Sequence, residues 1–235
     1  MVQPVTTNKT SLLLNAIDEP TPQRTYVTFG VERGGTSLVA GVLRALGLYL
    51  GDIPEGNNED KAFHNRPLGQ MKATVARRNQ DYDVWGWKYP TASTYLPVLS
   101  KSLRNAFFVV VYRDVVATAL SRAQWDGEFI RRNGRMSLHE TNAIVNANTG
   151  FVLATRRPCL LVSSEKAAAH TSQLIDEVAD FLYVPRPDDE LRAKILDYTE
   201  PGRYKNFDDY FPLPDRKATA VPASGGLTME QVSGQ

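Results

Sequence analysis

From Gly30 to Ser37 the chain reads Gly-Val-Glu-Arg-Gly-Gly-Thr-Ser. This is the spacing of a phosphate-binding loop, G-x-x-x-x-G-K-[ST], with Thr36 standing where the lysine belongs. Glycines at these places let the backbone approach an anion, and the free N–H groups at the start of a following helix hold it. Without the lysine, chemistry on a nucleoside triphosphate is disfavoured. Arg33 carries positive charge inside the loop, but as a planar fork from a different direction. The loop therefore suits an anion other than an ATP γ-phosphate. A turn of this kind can also serve packing alone; Arg33 and the paired hydroxyls of Thr36 and Ser37 favour anion binding.

A second constellation is Arg113-Asp114, with Ser121 eight residues after the arginine. If a helix follows, that spacing is about two turns, and one phosphate could receive a bidentate guanidinium and a hydroxyl. Taken alone, Arg-Asp after a strand reads more simply as a local salt bridge or a helix cap.

The elements that must position these groups alternate between strand and helix. Residues 25–29, 84–88, 106–112 and 159–163 are short runs rich in apolar, aromatic or β-branched side chains and read as buried strands. Helical spacing is expected over 37–46, ending at Gly47, and over 63–78, 93–103, 115–124, 138–156 and 174–182. Residues 51–61, with Pro54, Gly56, Asn57 and Asn58, read as a loop. Alternation of this kind predicts an α/β fold, a three-layer sandwich with a central parallel sheet of the phosphate-loop type. Arg113 then lies at the C-terminal end of a strand, where ligands gather in such sheets. The reading assigns 1–22 to an N-terminal extension, 23–212 to a single domain and 213–235 to a flexible tail.

Bulk composition agrees with a small enzyme. The 235 residues can bury one substantial core, and 27 basic against 26 acidic residues leave a formal charge of +1. That balance argues against a dedicated nucleic-acid binder. The lone Cys159 has no partner for an intramolecular disulfide and fits a reducing, cytoplasmic setting. The apolar run 11–14 is too short for a secretory core, and no segment is long enough for a membrane span. His139 and His170 lack ligand spacing, and neither Cys-x-x-Cys nor His-Glu-x-x-His occurs, so no metal is expected.

Together the two motifs resemble the family of sulfotransferases that use 3'-phosphoadenosine 5'-phosphosulfate (PAPS). Arg33-Gly34-Gly35-Thr36-Ser37 matches the family loop that cradles the 5'-phosphosulfate, and Arg113 with Ser121 matches its 3'-phosphate site. Trp85-Gly86-Trp87-Lys88-Tyr89-Pro90 resembles the Trp-Gly-x-Lys-x-Pro segment of bacterial and carbohydrate-type members. The chain departs at Gly34, where serine is usual, at Leu38, where the cytosolic branch carries tryptophan, and at Val115, where proline is frequent. It also lacks the Arg-Lys-Gly signature near the C-terminus; Gly202-Arg203-Tyr204-Lys205 is a distant counterpart or a basic turn.

The resemblance implies transfer of a sulfuryl group from PAPS to a hydroxyl or amine of a carbohydrate or small metabolite, releasing adenosine 3',5'-bisphosphate. Arg33 is then the group beside the leaving phosphate, a stabiliser rather than an acid because arginine stays protonated. Lys88 either reaches the sulfuryl group or is simply an exposed strand-end lysine. A base must take the acceptor's proton. Glu59 lies where related enzymes carry a catalytic glutamate; His64 is the second candidate because imidazole titrates near neutrality. Trp85, Trp87 and Trp125 line a pocket or belong to the core, and the basic loop 131–135 attracts anions or is a solvated turn. Two other classes stay open, a small-molecule or nucleotide kinase and a noncatalytic nucleotide-binding module. Oligomeric state is not readable.

Overall fold

The most apolar strand organises the rest. In the computed structural model, which describes residues 8–53, 56–125, 134–200 and 205–212, Ala106–Tyr112 (β4) is buried along nearly its whole length. Successive side chains of a strand point to opposite faces. Phe107, Val109 and Val111 accordingly enter one core while Ala106, Phe108 and Val110 enter another. A strand buried on both faces must lie inside a sheet covered by helices on both sides.

The sheet has five strands in the order β1-β5-β4-β2-β3. These are Ser11–Leu14 (β1), Arg24–Phe29 (β2), Val84–Lys88 (β3), β4, and Cys159–Ser163 (β5). Pairs β2·β3, β2·β4 and β4·β5 are parallel. One layer consists of α1 (Thr36–Ala45), α6 (Ser164–Ala169), α7 (Thr171–Leu182), α8 (Asp189–Thr199) and α9 (Phe207–Tyr210), packed on Tyr26, Phe107 and Leu160. The other holds α2 (Leu68–Asp81), α3 (Leu96–Leu99) and α5 (Gly134–Ala154), packed on Val27, Phe29, Trp85, Trp87 and Phe108. Helix α4 (Val115–Trp125) follows β4 and lies against α5. The α/β class and its three layers hold.

The sheet is mixed rather than wholly parallel. Strand β1 runs antiparallel to β5, with Leu12 opposite Leu161. Its residues are the run assigned from the sequence to an extension ahead of the domain. Glu177 of α7 ties it down, accepting from Thr10 Oγ1 at 2.7 Å and Ser11 Oγ at 2.6 Å. Burial works to raise the Glu177 pKa, but the hydrogen bonds from Ser11 and Thr10 outweigh it, and the net shift is downward.

Two expected helices are shorter than their apolar patterns. The one over 63–78 starts only at Leu68, because Pro67 holds the preceding backbone out of the helical region and Asn65 is left-handed at φ 49°. The one over 93–103 breaks into α3 flanked by single 3₁₀ turns, with Pro97 in its first turn. Helix α8 was not foreseen, although Asp188 caps it by accepting from Leu191 N at 2.8 Å. Cys159 is fully buried, which pushes its thiol pKa up to about 12. The tail 213–235, residues 131–133 of the basic loop, Pro54, 202–204 and the side chain of Trp125 lie outside the described residues.

Candidate functional site: a two-sided cationic cavity at the sheet's switch point

Chain order passes from β2 to β3 on one side of β2, while β4 and β5 lie on the other. Such a reversal leaves a crevice at the C-terminal strand ends. A cavity of about 720 Å³ opens there, lined by residues that include Glu32, Arg33, Thr36, Ser37, Glu59, His64, Lys88, Arg113 and Ser121. Its size is that of a pocket for a nucleotide-sized ligand.

The loop after β2 is shaped by steric necessity. A Cβ at Gly30 would sit 2.4 Å from Val111 O, so β4 excludes any side chain there. Gly35, at φ +86°, precedes the first turn of α1, and a Cβ on it would meet Ser164 Oγ at 2.3 Å. Arg33 is left-handed at φ 62°, a conformation uncommon for a residue with a side chain. Arg113 holds it, donating from Nη1 to Arg33 O at 2.6 Å, while Arg33 Nε donates to Ser121 Oγ at 3.3 Å. Three residues singled out from separate motifs thus converge. On the far side of Gly30, Asn148 of α5 donates to its carbonyl at 2.8 Å, and the buried Asn148 Oδ1 has no hydrogen-bond partner among the described residues.

Asp114 does the work of a cap. Its carboxylate accepts from Ala117 N at 2.8 Å at the start of α4, and its own N–H donates to Glu165 Oε1 at 2.9 Å. The helix-cap reading of Arg-Asp therefore applies to the aspartate, while the arginine turns to the loop.

The opposite wall is built on Lys88, at the end of β3. This lysine is 1% exposed, which removes the reading of it as a solvated strand-end residue. Its Nζ donates to Ser37 Oγ at 3.2 Å, Asn57 O at 3.1 Å and Glu59 Oε1 at 2.8 Å. Burial lowers the Lys88 pKa, and the charge of Glu59 opposes that shift. The hydroxyl of Ser37 donates to Asn57 O at 2.9 Å. His64 lies against Tyr89, with 5.0 Å between ring centroids, at the same wall of the cavity. Trp85 and Trp87 are fully buried, and both belong to the core.

Two lining residues, and Asn148 behind the loop, escaped the sequence reading. Arg122 follows Ser121 and pairs with Glu140 at 3.2 Å, and Glu32 lies inside the phosphate loop itself. Asn148 had one available signal: with Ser137, Thr141 and Val152 it forms the buried stripe of α5, and an amide in such a stripe needs a partner.

A solved structure shares this arrangement of elements. Sulfotransferase STF9 from Mycobacterium avium superposes with a TM-score of 0.51 at 12% identity, covering 81% of this chain and 73% of that one. The fold is a sulfotransferase fold. The sulfotransferase domain from the curacin biosynthetic pathway gives a TM-score of 0.48 at 14% identity, covering 87% of this chain and 85% of that one. The sulfotransferase domain from the Synechococcus PCC 7002 olefin synthase gives 0.49 at 15% identity, covering 87% and 95%. No protein-family model and no curated protein matches the chain. Among the described residues no group of three or more His, Cys, Asp or Glu side chains could hold a metal, and no helix is long and apolar enough to cross a membrane.

Proposed function

We propose that the protein is a PAPS-dependent sulfotransferase acting on a hydroxyl or amine of a carbohydrate or small metabolite. The observation that carries this reading is the meeting of Arg33, Arg113 and Ser121 at the head of a lysine-free phosphate loop. The donor set fits a nucleotide with two separate phosphate groups. Arg113 and Ser121 would hold the 3'-phosphate, while the backbone of Gly34, Gly35, Thr36 and Ser37 with the Thr36 hydroxyl would hold the 5'-phosphate. Ser37 contributes through its N–H, since its hydroxyl is spent on Asn57 O.

PAPS supplies an electrophilic sulfuryl group, which passes to the acceptor oxygen or nitrogen as adenosine 3',5'-bisphosphate departs. Arg33 neutralises negative charge near the leaving phosphate, and preorganised charge of this kind dominates such chemistry. Glu59, with one oxygen on Lys88, accepts the acceptor's proton at the other; His64 is the second candidate on the same wall. No metal takes part in this scheme. A cytoplasmic setting suits the single buried thiol. A kinase is the poorer reading because Thr36 occupies the lysine position.

Calorimetric titration without added metal tests the proposal. Adenosine 3',5'-bisphosphate is expected to bind much more tightly than 5'-AMP, and equal affinities would remove the 3'-phosphate assignment. Release of adenosine 3',5'-bisphosphate from labelled PAPS across a panel of hydroxylated and amino acceptors then tests transfer.

A further inference from the structure

The ammonium of Lys88 is held from within the protein. An ammonium has three N–H donors and no acceptor. All three have an acceptor within the protein: Ser37 Oγ, Asn57 O and Glu59 Oε1, at 2.8 to 3.2 Å. Ser37 in turn gives its hydroxyl proton to Asn57 O. The result is a closed knot joining the first turn of α1, the end of β3 and the loop 56–60.

The loop itself is pinned on both flanks. Asn58, left-handed at φ 59° and 1% exposed, donates to Ser37 O at 3.1 Å and Tyr198 Oη at 3.3 Å, and accepts from Arg44. Asp60 is buried in an ion pair with Arg78. Asn57 Oδ1 receives Glu59 N at 3.0 Å. In this frame the Glu59 side chain is 20% exposed, with Oε1 on the lysine.

We infer that Lys88 is a positioning residue: it takes no part in holding the nucleotide, fixes Glu59 with one carboxylate oxygen tied and the other left for the acceptor, and joins that acceptor wall to the phosphate loop through Ser37. The inference rests on the transfer reading for its function and on the hydrogen bonds alone for its geometry. It gives Lys88 a role different from both that the sequence offered, contact with the sulfuryl group and exposure at a strand end.

Three measurements decide the matter. In calorimetry with adenosine 3',5'-bisphosphate, Lys88→Met is expected to keep the dissociation constant within about twofold, while Arg113→Ala weakens it at least about tenfold. A loss in Lys88→Met as large as that in Arg113→Ala would overturn the inference. A loss in neither would remove the nucleotide reading and leave the placement of Lys88 to the second measurement. There, the side-chain ¹³Cε signal of Lys88, recognised by its absence in Lys88→Arg, is followed against pH. Glu59→Gln is expected to move its titration midpoint to lower pH, because the carboxylate charge that sustains the ammonium is gone. An unmoved midpoint would show that the pair does not form, and would overturn the inference even if Lys88→Met failed to fold. With an acceptor that supports turnover, Lys88→Met should lower kcat at least about tenfold with KM for PAPS within about twofold. A raised KM with kcat unchanged would again contradict it.

Discussion

Replacing Arg113 by alanine should reduce affinity by two separable amounts. The guanidinium makes a charge-assisted bond of 2.6 Å to Arg33 O. A hydrogen bond involving a charged group contributes about 1.5–3 kcal/mol, and we take the lower end because Arg113 is only half-buried. Loss of this anchor releases the left-handed backbone at Arg33 and so weakens any ligand of the loop by about 10-fold or somewhat more. A direct contact with the 3'-phosphate adds a second contribution of about the same size, felt by adenosine 3',5'-bisphosphate alone. Titrating wild type and Arg113→Ala with both nucleotides therefore yields a ratio of ratios. The bisphosphate should lose about 100-fold and 5'-AMP about 10-fold. Equal losses would refute the reasoning, because Arg113 would then be a loop anchor and nothing more. The bisphosphate affinity should also depend less steeply on salt in the variant, since one cation has left the site.

Other expected outcomes concern the frame of the site. Gly35→Ala forces a side chain onto a φ of +86° and against Ser164 Oγ; it should cost about 1–3 kcal/mol in chemical denaturation, only partly restored by Ser164→Ala. Breaking the buried Asp60–Arg78 pair with Arg78→Met leaves a carboxylate without its cation and should cost about 3–5 kcal/mol, read from the urea midpoint at unchanged m. Glu177 has a depressed pKa in the folded state, so its contribution is complete above the unfolded carboxylate value and fades as pH falls through the folded one. Glu177→Gln should therefore lose less stability than wild type between neutral and acidic pH; parallel losses would contradict the assigned hydrogen bonds.

The sheet was legible because its strands are buried on both faces. Residues 106–112 and 159–163 carry almost no polar side chains, and a run of that length has few other uses. Strand β1 was not legible for the opposite reason. Its four residues pair across a separation that no local pattern reports, and Leu12 and Leu13 stay largely exposed. In the site, Arg33, Arg113 and Ser121 stood out because each sits at a fixed offset from a strand end. Glu59 and Lys88 were picked by motif resemblance, but their mutual bond depends on the fold of loop 56–60, which turns on the left-handed Asn58. Asn57 meets Ser37 and Lys88 through its backbone carbonyl oxygen, a group every residue has, and uses its side chain only on Glu59 N, so its identity carried little signal. The Asn148 amide could have been found only by asking what an amide does on the buried face of a helix.

The antiparallel edge strand fixes an order of events during synthesis. Ser11–Leu14 is made well before its pairing partners, Cys159–Val162, and its anchor, Glu177. Until residues 159–162 are made, β1 has no strand to pair with. The parallel strands β2, β3 and β4 can assemble while β1 waits, and the outer edge of β4 stays open until β5 arrives. An interval with an unpaired edge and exposed leucines is a period of vulnerability to association. Strand β1 is thus made before the other strands of its sheet and placed after them, a closing clasp on the sheet that carries the site.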